Sequence, residues 1–145
     1  MKVVIQRVKY SKVEVAGEIV SAIDTGIMAL VGLEPQDKFE NCKKIIDKII
    51  ALRIFSDEKG HLNLSLKDVS GELMLISQFT LAGSTKRGLR PSFDTAMAPD
   101  EASDLFSKIV SYAESQYPQV KCGQFGADMQ VSLINDGPVT FILEG

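Results

Sequence analysis

The stretch GIMALVGLEPQDKFENCKKIIDKIIAL, residues 26–52, changes its hydrophobic period once and therefore predicts a strand followed by a helix. Residues 26–33 form a continuous apolar run of strand length, which is typical of a central strand covered on both faces. Glu34-Pro35 ends this run. From residue 37 to 52 the apolar residues recur at spacings of three and four, which predicts an amphipathic helix.

The residues on either side of this unit predict further strands. The first 24 residues alternate apolar and polar side chains around a turn at Ala16-Gly17, which predicts a β-hairpin. Residues 62–67 alternate as an exposed strand does, and residues 72–81, ELMLISQFTL, predict a second buried strand. The first half of the chain is therefore expected to be rich in strands around one helix.

The second half of the chain holds a long loop, a helix and more strands. Residues 83–99 lack periodicity, and a connection of this length is more often functional than incidental. An amphipathic helix is predicted from Pro99 until shortly before Pro118. The C-terminal quarter returns to strand composition, interrupted at residues 135–138. The order of elements predicts one α/β domain over residues 1–145, with a mixed sheet system and both helices on one side.

The composition excludes several classes of protein. The 145 residues are 45% hydrophobic and 24% charged, as in an average soluble globular protein, and no apolar stretch approaches the roughly 20 residues of a membrane span. The N-terminus, MKVVIQRVKY, is typical of a strand and not of an export signal, so we expect a cytoplasmic protein. Cys42 and Cys122 have no second Cys or His at ligand spacing, so free thiols are expected, with no metal and no cofactor.

The charge of the chain is informative only locally. A formal net charge of −3 gives no global attraction to nucleic acid, so any such binding depends on a local cluster. Lys86, Arg87 and Arg90 provide one, because no acid lies between Gly83 and Pro91. These side chains are candidates for phosphate contacts. A solvated loop without a ligand is the alternative, because Lys and Arg are mostly exposed in any protein.

The sequence lacks the usual parts of several catalytic sites. His61 is the only histidine and lies in the turn-like segment KGHLNL, so an exposed turn residue is favoured over a catalytic base. Residues 83–86, GSTK, resemble a phosphate-binding loop but lack its spacing. If the chain is an enzyme, its chemistry must come mainly from backbone groups or from the substrate.

Two short motifs carry polar residues where strands are expected. SQFTL, residues 77–81, puts a hydroxyl and an amide at the end of an apolar strand, where an unpaired buried polar group costs about 1 to 3 kcal/mol. These groups either form ordinary ladder and loop hydrogen bonds or belong to a site. NDGPVT, residues 135–140, begins like a turn and returns at once to a strand, so an ordinary Gly-Pro turn is its simplest interpretation.

Taken together, the two motifs resemble the two signatures of the D-aminoacyl-tRNA deacylase (D-Tyr-tRNA deacylase) family. The resemblance extends to MKVVIQRV with Arg7 at the N-terminus, GLRPSF at residues 88–93, the helix start PDEA, and residues 125–141. It therefore spans essentially the whole chain. Composition and periodicity by themselves indicate only a soluble α/β domain.

The resemblance implies a fold, an assembly and an activity. The implied fold is a three-layer β/β/α arrangement of mixed, mainly antiparallel, barrel-like sheets with two amphipathic helices on one side. The implied assembly is a homodimer with an active site at each end of the interface. The implied activity is hydrolysis of the ester of D-aminoacyl-tRNA, and of mischarged glycyl-tRNA, with L-aminoacyl-tRNA rejected.

The resemblance also implies three groups of site residues. They are the catalytic segment Ser77, Gln78, Phe79 and Thr80; the substrate-binding residues Gly137, Pro138, Arg7 and Met129; and the tRNA phosphate contacts Lys86, Arg87 and Arg90. The Gly137-Pro138 bond is expected to be cis and to enter the partner's pocket, where it excludes an L-side chain. Arg7 is expected to hold this pair in orientation.

The family resemblance further implies how the ester is cleaved. The 2′-hydroxyl of the terminal adenosine assists, while backbone N–H groups near Phe79 and Thr80 stabilise the oxyanion. Thr80 as a nucleophile is an alternative, although no general base is apparent to activate it. Two other functions stay open from the residues alone: a non-catalytic nucleic-acid-binding module, and a threonine-dependent hydrolase of a small ester.

Overall fold

The computed structural model describes residues 1–145, which form eight strands, two α-helices and one short 3-10 helix. In chain order the elements are β1 (Lys2–Val15), β2 (Glu18–Ile23), β3 (Gly26–Gly32), α1 (Phe39–Ala51), β4 (Phe55–Ser56), β5 (Leu62–Leu64), β6 (Glu72–Ser77), the 3-10 helix (Phe79–Ala82), α2 (Pro99–Gln116), β7 (Val120–Cys122) and β8 (Gln130–Glu144). Neither α-helix is long and apolar enough to cross a membrane.

Strand β1 organises the main sheet, because it pairs with three other strands. It pairs antiparallel with β3 through its first part, with β2 through its last part, and with β8 along most of its length. Strands β6 and β7 continue the sheet as parallel neighbours, so that the order is β2-β1-β3-β6-β7 with β8 on β1. Strands β4 and β5 form a separate short hairpin.

The two ends of the strand order approach each other, which makes the sheet nearly a barrel. Lys121 of β7 donates a hydrogen bond to the Ala22 carbonyl oxygen of β2 at 2.6 Å, and its Nζ lies 3.1 Å from a carboxylate oxygen of Glu72 in β6. The predicted α/β fold, with mixed strands, a barrel-like sheet and two helices, is confirmed.

Both α-helices pack against one side of the sheet, as the sequence predicts. Ile46 and Ile49 of α1 and Phe106 of α2 belong with side chains of β1, β3 and β6 to one cluster of 25 buried residues. A smaller cluster of six residues, which includes Met28 and Met74, covers the other face of the same strands. Strands β3 and β6 are therefore buried on both faces, which is what their continuous apolar runs indicate.

The strand predicted for residues 72–81 is too long. Strand β6 ends at Ser77, and the chain then turns into the 3-10 helix. Gly32 of the neighbouring strand makes this turn possible, because a Cβ atom on it would lie 2.7 Å from Leu81 Cβ and 3.0 Å from the Gln78 carbonyl oxygen. The missing side chain of Gly32 therefore lets the signature segment fold over the end of β3.

The second signature lies inside a strand rather than between two strands. Strand β8 runs through residues 135–138, where the sequence predicts an interruption. The disturbance is instead a shift of register, because Gln6 pairs with Thr140 and Val8 pairs with Asn135, so that two steps along β1 (8 − 6) match five along β8 (140 − 135). The Gly137-Pro138 segment therefore bulges out of the ladder. The short strand β7 is a further element that the sequence pattern does not predict.

Candidate active site

A pocket of about 430 Å³ opens at the C-terminal end of β6. Its walls come from residues 76–79, from the start of α2 with Met97 before it, and from residues 125–131. Eight of the 13 lining residues are hydrophobic, and Asp128 is the only charged one. An apolar concavity of this volume with a few polar groups is typical of a small-molecule site.

The SQFTL segment forms one wall of this pocket and continues along its rim. The Gln78 N–H donates to the Val31 carbonyl oxygen at 2.7 Å, which ties the end of β6 to β3. The Gln78 side-chain Nε2 donates to Thr80 Oγ1 at 2.6 Å. The N–H groups of Phe79 and Thr80 lie in the first turn of the 3-10 helix, where N–H groups have no acceptor within the helix. No side chain caps this end of the helix, so neither group has a partner there. Ladder and loop hydrogen bonds therefore account for only part of the polar groups in this motif.

This arrangement suits the stabilisation of a negative charge better than nucleophilic attack by the protein. Two unpaired N–H groups beside a pocket are the kind of donors that stabilise an oxyanion, and one such donor is worth about 3 to 4 kcal/mol in other hydrolases. The hydroxyl of Thr80 contacts only the neutral amide of Gln78, which is not a base.

Two exposed aromatic rings meet beside the pocket. Phe79 is 58% exposed and Phe93 is 43% exposed. Their ring centroids lie 5.1 Å apart with planes tilted by 60°. Because Phe93 belongs to the returning part of the long loop, the loop and the signature segment are in direct contact.

The Gly137-Pro138 segment is held by Arg7. Arg7 is buried, its Nε donates to the Asp136 carbonyl oxygen at 3.0 Å, and its Nη1 donates to the Ile54 carbonyl oxygen at 2.9 Å. The Gly137-Pro138 peptide bond is cis, and both residues are exposed. Neither residue lines the pocket of its own chain.

The residues predicted for the site thus fall into separate groups. Those that line the pocket are Ser77, Gln78, Phe79 and Met129. Two residues of β3 mark the separation of the pocket from the Gly137-Pro138 segment: Val31 pairs with Ser77 at the pocket, and Ile27 pairs with Arg7 beside that segment. The two places are therefore four residues (31 − 27), roughly 13 Å, apart along β3. Within one chain the two signatures do not meet.

The basic residues of the loop form a third group. Lys86, Arg87 and Arg90 are exposed, and none of them forms an ion pair within the chain. Their charges are therefore free to contact an anionic partner. His61 is exposed in the turn between β4 and β5 and does not line the pocket. No group of three or more His, Cys, Asp or Glu side chains is placed to hold a metal ion.

Most of the pocket wall was not predicted from the sequence. Met97, Ala102 and Phe125 line the pocket, but their apolar side chains do not differ from those of an ordinary core. Ala102, Phe125 and Asp128 lie in segments that resemble the deacylase family, and that resemblance is the only sequence signal that points to them.

The nearly closed sheet, the helices on one side and the ligand-sized pocket beside the SQFTL segment define a small α/β domain with a mainly apolar site at the end of β6. The chain belongs to the D-Tyr-tRNA(Tyr) deacylase family, whose model matches residues 4–144. The predictions of this family and of an enzyme of the deacylase class are confirmed by the matches.

Individual relatives and solved structures are similar to the chain over nearly its whole length. The chain is 55% identical over 144 residues to the D-aminoacyl-tRNA deacylase of Pseudomonas entomophila (strain L48), with 99% of each chain covered. A solved structure described as "c-Myc DNA Unwinding Element Binding Protein" has a TM-score of 0.95 at 39% identity and covers 100% of this chain and 99% of its own. Another, described as "Structural Analysis of a probable eukaryotic D-amino acid tRNA deacylase", has the same fold, with a TM-score of 0.86 at 15% identity over 98% of this chain and 97% of its own.

Proposed function

We propose that this protein hydrolyses the ester that joins a D-amino acid, or a mischarged glycine, to tRNA, and that it spares L-aminoacyl-tRNA. The observation that carries the proposal is the pocket at the end of β6, where the SQFTL segment supplies a wall and two uncapped N–H groups. Relatives that align with almost the whole chain are named D-aminoacyl-tRNA deacylases, which supports the assignment of this pocket to an aminoacyl ester.

The proposed chemistry uses backbone groups of the protein and a hydroxyl group of the substrate. The N–H groups of Phe79 and Thr80 stabilise the oxyanion that forms when the ester carbonyl is attacked. The pocket wall carries no histidine, and the Thr80 hydroxyl contacts only the Gln78 amide. As the family resemblance implies, the 2′-hydroxyl of the terminal adenosine is proposed to assist the attack of water on the ester carbonyl.

A second copy of the chain is proposed to supply the selection against L-amino acids. Gly137 and Pro138 are exposed and do not line their own pocket, so they are free to enter the pocket of a partner. In that position their carbonyl groups exclude an L-side chain, whereas a D-side chain or a glycine is accepted.

The surface of β8 supports a homodimer. Strand β8 pairs only with β1, so its other edge is unpaired within the chain. The same strand exposes Ile134, Phe141 and Ile142, with Ile142 exposed by 70%. An unpaired strand edge beside exposed apolar side chains favours association with another chain.

The remaining contacts of the substrate are proposed to lie on the long loop. Lys86, Arg87 and Arg90 bind phosphates of the tRNA, because they form the one cluster of unpaired cations without an intervening acid. A charged tRNA as substrate also implies that the protein acts in the cytoplasm, where translation takes place.

A deacylation assay tests the activity and its selectivity together. Purified protein is incubated with D-Tyr-tRNA, L-Tyr-tRNA and Gly-tRNA, and the released amino acid is measured. We expect hydrolysis of the D-tyrosyl and glycyl esters and little of the L-tyrosyl ester. Equal rates on the two tyrosyl esters would contradict the selectivity, and no hydrolysis of any ester would contradict the activity.

Sedimentation equilibrium at the concentration of the assay tests the assembly. We expect twice the mass of the 15.8 kDa chain. A fully active monomer would remove the proposed role of the partner's Gly137 and Pro138.

A non-catalytic nucleic-acid-binding function is the second candidate. One observation favours it: the solved structure at 39% identity is described as a DNA-unwinding-element binding protein. Binding of D-Tyr-tRNA and of duplex DNA, measured at two salt concentrations together with release of the amino acid from D-Tyr-tRNA, separates the candidates. A binding module would retain both nucleic acids without cleaving the ester, whereas a deacylase releases the amino acid.

A further inference from the structure

The long loop is anchored directly behind the 3-10 helix. The Ser84 N–H donates to the Ser92 carbonyl oxygen at 2.7 Å, and the Ser92 N–H donates back to the Ser84 carbonyl oxygen at 2.9 Å. The Thr95 hydroxyl donates to the Ala82 carbonyl oxygen at the end of the helix. Lys86, Arg87 and Arg90 therefore project from a base that is hydrogen-bonded to the last residue of the 3-10 helix.

Phe93 contacts both ends of the 3-10 helix. Its ring centroid lies 5.1 Å from that of Phe79, the first residue of the helix. It also lies against Gly83, the residue after the helix, where an added Cβ atom would come within 3.0 Å of two carbon atoms of the ring. The absence of a side chain at Gly83 therefore allows the close approach.

The 3-10 helix depends on such contacts for its position. It has only four residues, and a helix of this length and type has little stability of its own. Its first residue, Phe79, exposes more than half of its surface, so few other contacts restrain its ring. The ring of Phe93 is the aromatic ring that packs against the ring of Phe79.

We propose that Phe93 is a positioning residue, which holds the 3-10 helix so that the N–H groups of Phe79 and Thr80 face the ester. The inference rests on the proposed deacylase function. A displacement of catalytic groups by about 1 Å costs roughly 100-fold in rate, so a modest loosening of the helix is measurable.

Steady-state kinetics on two substrates test the role of Phe93. The substrates are D-Tyr-tRNA and D-tyrosyl-adenosine, which carries the same ester but none of the tRNA phosphates. Phe93→Ala is expected to lower kcat roughly 10- to 100-fold on both substrates, with KM for D-Tyr-tRNA changed by less than about threefold. Phe93→Leu, which keeps an apolar side chain on Gly83, should recover most of the loss. Ile19→Ala, which removes an exposed apolar side chain of β2, is the matched control and should behave like wild type.

Two results of this comparison would overturn the proposal. One is an unchanged kcat for Phe93→Ala on both substrates. The other is a raised KM for D-Tyr-tRNA together with normal turnover of D-tyrosyl-adenosine, because Phe93 would then be a contact for tRNA and not a support for the helix.

A spectroscopic measurement separates failure of this inference from failure of the proposed function. Wild-type protein that cleaves neither ester would refute the deacylase function. The positioning role is then read from ¹⁹F NMR of protein with 4-fluorophenylalanine at position 79. Loss of the ring current of Phe93, 5.1 Å away, shifts that resonance in any case, so the readout is its linewidth. Phe93→Ala should change the linewidth, whereas Ile19→Ala should not. An identical linewidth in wild type and Phe93→Ala would show that Phe93 does not hold the ring of Phe79.

Discussion

Arg7 makes two contacts with Asp136: its Nε donates to the Asp136 carbonyl oxygen at 3.0 Å, and the same Nε lies 3.6 Å from the carboxylate oxygen Oδ2. The same guanidinium group donates to the Ile54 carbonyl oxygen on its other side. Arg7 therefore joins Ile54, the residue just before β4, to the residue immediately before Gly137-Pro138.

Replacement of Arg7 should cost both stability and selectivity. Arg7→Ala leaves buried carbonyl groups without their charged donor, so we expect a loss of about 2 to 4 kcal/mol in the free energy of unfolding by urea. Arg53→Ala is the matched control, because Arg53 also donates to one carbonyl oxygen but is exposed, and it should cost less than about 1 kcal/mol. The ratio of D- to L-Tyr-tRNA hydrolysis should fall in Arg7→Ala only. An unchanged ratio would separate Arg7 from the selectivity.

A side chain at position 137 should displace the Gly137-Pro138 segment from its present conformation. Gly137 has a φ of +130°, and a Cβ atom there would lie 2.8 Å from Val139 Cγ2 and 3.0 Å from Arg7 Nη2. Gly137→Ala should therefore lose about 1 to 3 kcal/mol of stability together with the D-over-L selectivity. Gly17→Ala also has a positive φ but no atom within 4 Å of the added Cβ, so it should keep full selectivity. Equal kinetics of the two variants would argue against a role for position 137.

Removal of the Thr80 hydroxyl should leave much of the activity. Thr80→Ala is expected to keep kcat on D-Tyr-tRNA within about tenfold of wild type, because loss of a true nucleophile costs many orders of magnitude. The reciprocal experiment uses D-Tyr-tRNA that ends in 2′-deoxyadenosine, which should react roughly 100-fold more slowly or worse. Covalent catalysis by Thr80 would instead be favoured by three results together: an inactive Thr80→Ala variant, an active Thr80→Ser variant, and full activity on the deoxy substrate.

Neutralising the loop should weaken tRNA binding in a salt-dependent manner. With Lys86, Arg87 and Arg90 all replaced by Ala, the slope of log Kd against log salt should fall by about 2 to 3 units, since each phosphate contact contributes about 0.7 to 0.9. The control replaces three exposed helical lysines that form no ion pair: Lys44, Lys48 and Lys108. Equal slopes for the two triple variants would show that the loop does not contact phosphate.

Cys42 should resist alkylation in the native protein. Burial, together with the nearby negative charge of Asp37, raises the pKa of the Cys42 thiol to about 11 from 9.0. At pH 8 this shift alone lowers the thiolate fraction of Cys42 about 100-fold. Burial and the negative charge of Glu114 raise the pKa of Cys122 as well, but Cys122 is only partly buried, so mass spectrometry after iodoacetamide treatment should find Cys122 modified before Cys42. Faster modification of Cys42 than of Cys122 would contradict the expected protection of Cys42.

The same pKa shift predicts how stability changes with pH. Between pH 9 and 11 the thiol ionises in the unfolded chain but not in the native protein, so the native state loses stability as the pH rises through this window. In urea titrations Cys42→Ala should lose less stability than wild type across that range. Parallel pH profiles of the two proteins would remove Cys42 as a cause.

The sequence predicts those parts of the molecule that depend on local patterns. Burial of β3 on both faces follows from the apolar run at residues 26–33, and both helices follow from their three-and-four spacing. The residues of the SQFTL motif that line the pocket were identified through the family resemblance, because their side chains alone are equally compatible with ladder hydrogen bonds.

The parts that escape prediction depend on contacts between distant residues. The end of β6 at Ser77 depends on the space above Gly32, which lies 45 positions earlier (77 − 32) and has no sequence pattern of its own. Met97 and Phe125 form pocket walls only because the sheet brings the start of α2 and the segment before β8 to the same edge. Hydrophobic periodicity identifies such residues as buried but cannot say which of them border a cavity.

The pairing of β1 with β8 has a consequence for synthesis of the protein on the ribosome. Lys2 pairs with Glu144, so β1 cannot complete its pairing until β8 has been synthesised. At about 5 to 20 residues per second, translation leaves β1 without this neighbour for roughly 7 to 30 s. Contacts so distant in sequence also form slowly, because a long loop must close first. A chain terminated before β8 therefore cannot complete the sheet. A protein that is proposed to remove wrongly attached amino acids from tRNA thus depends for its own fold on translation that continues through β8.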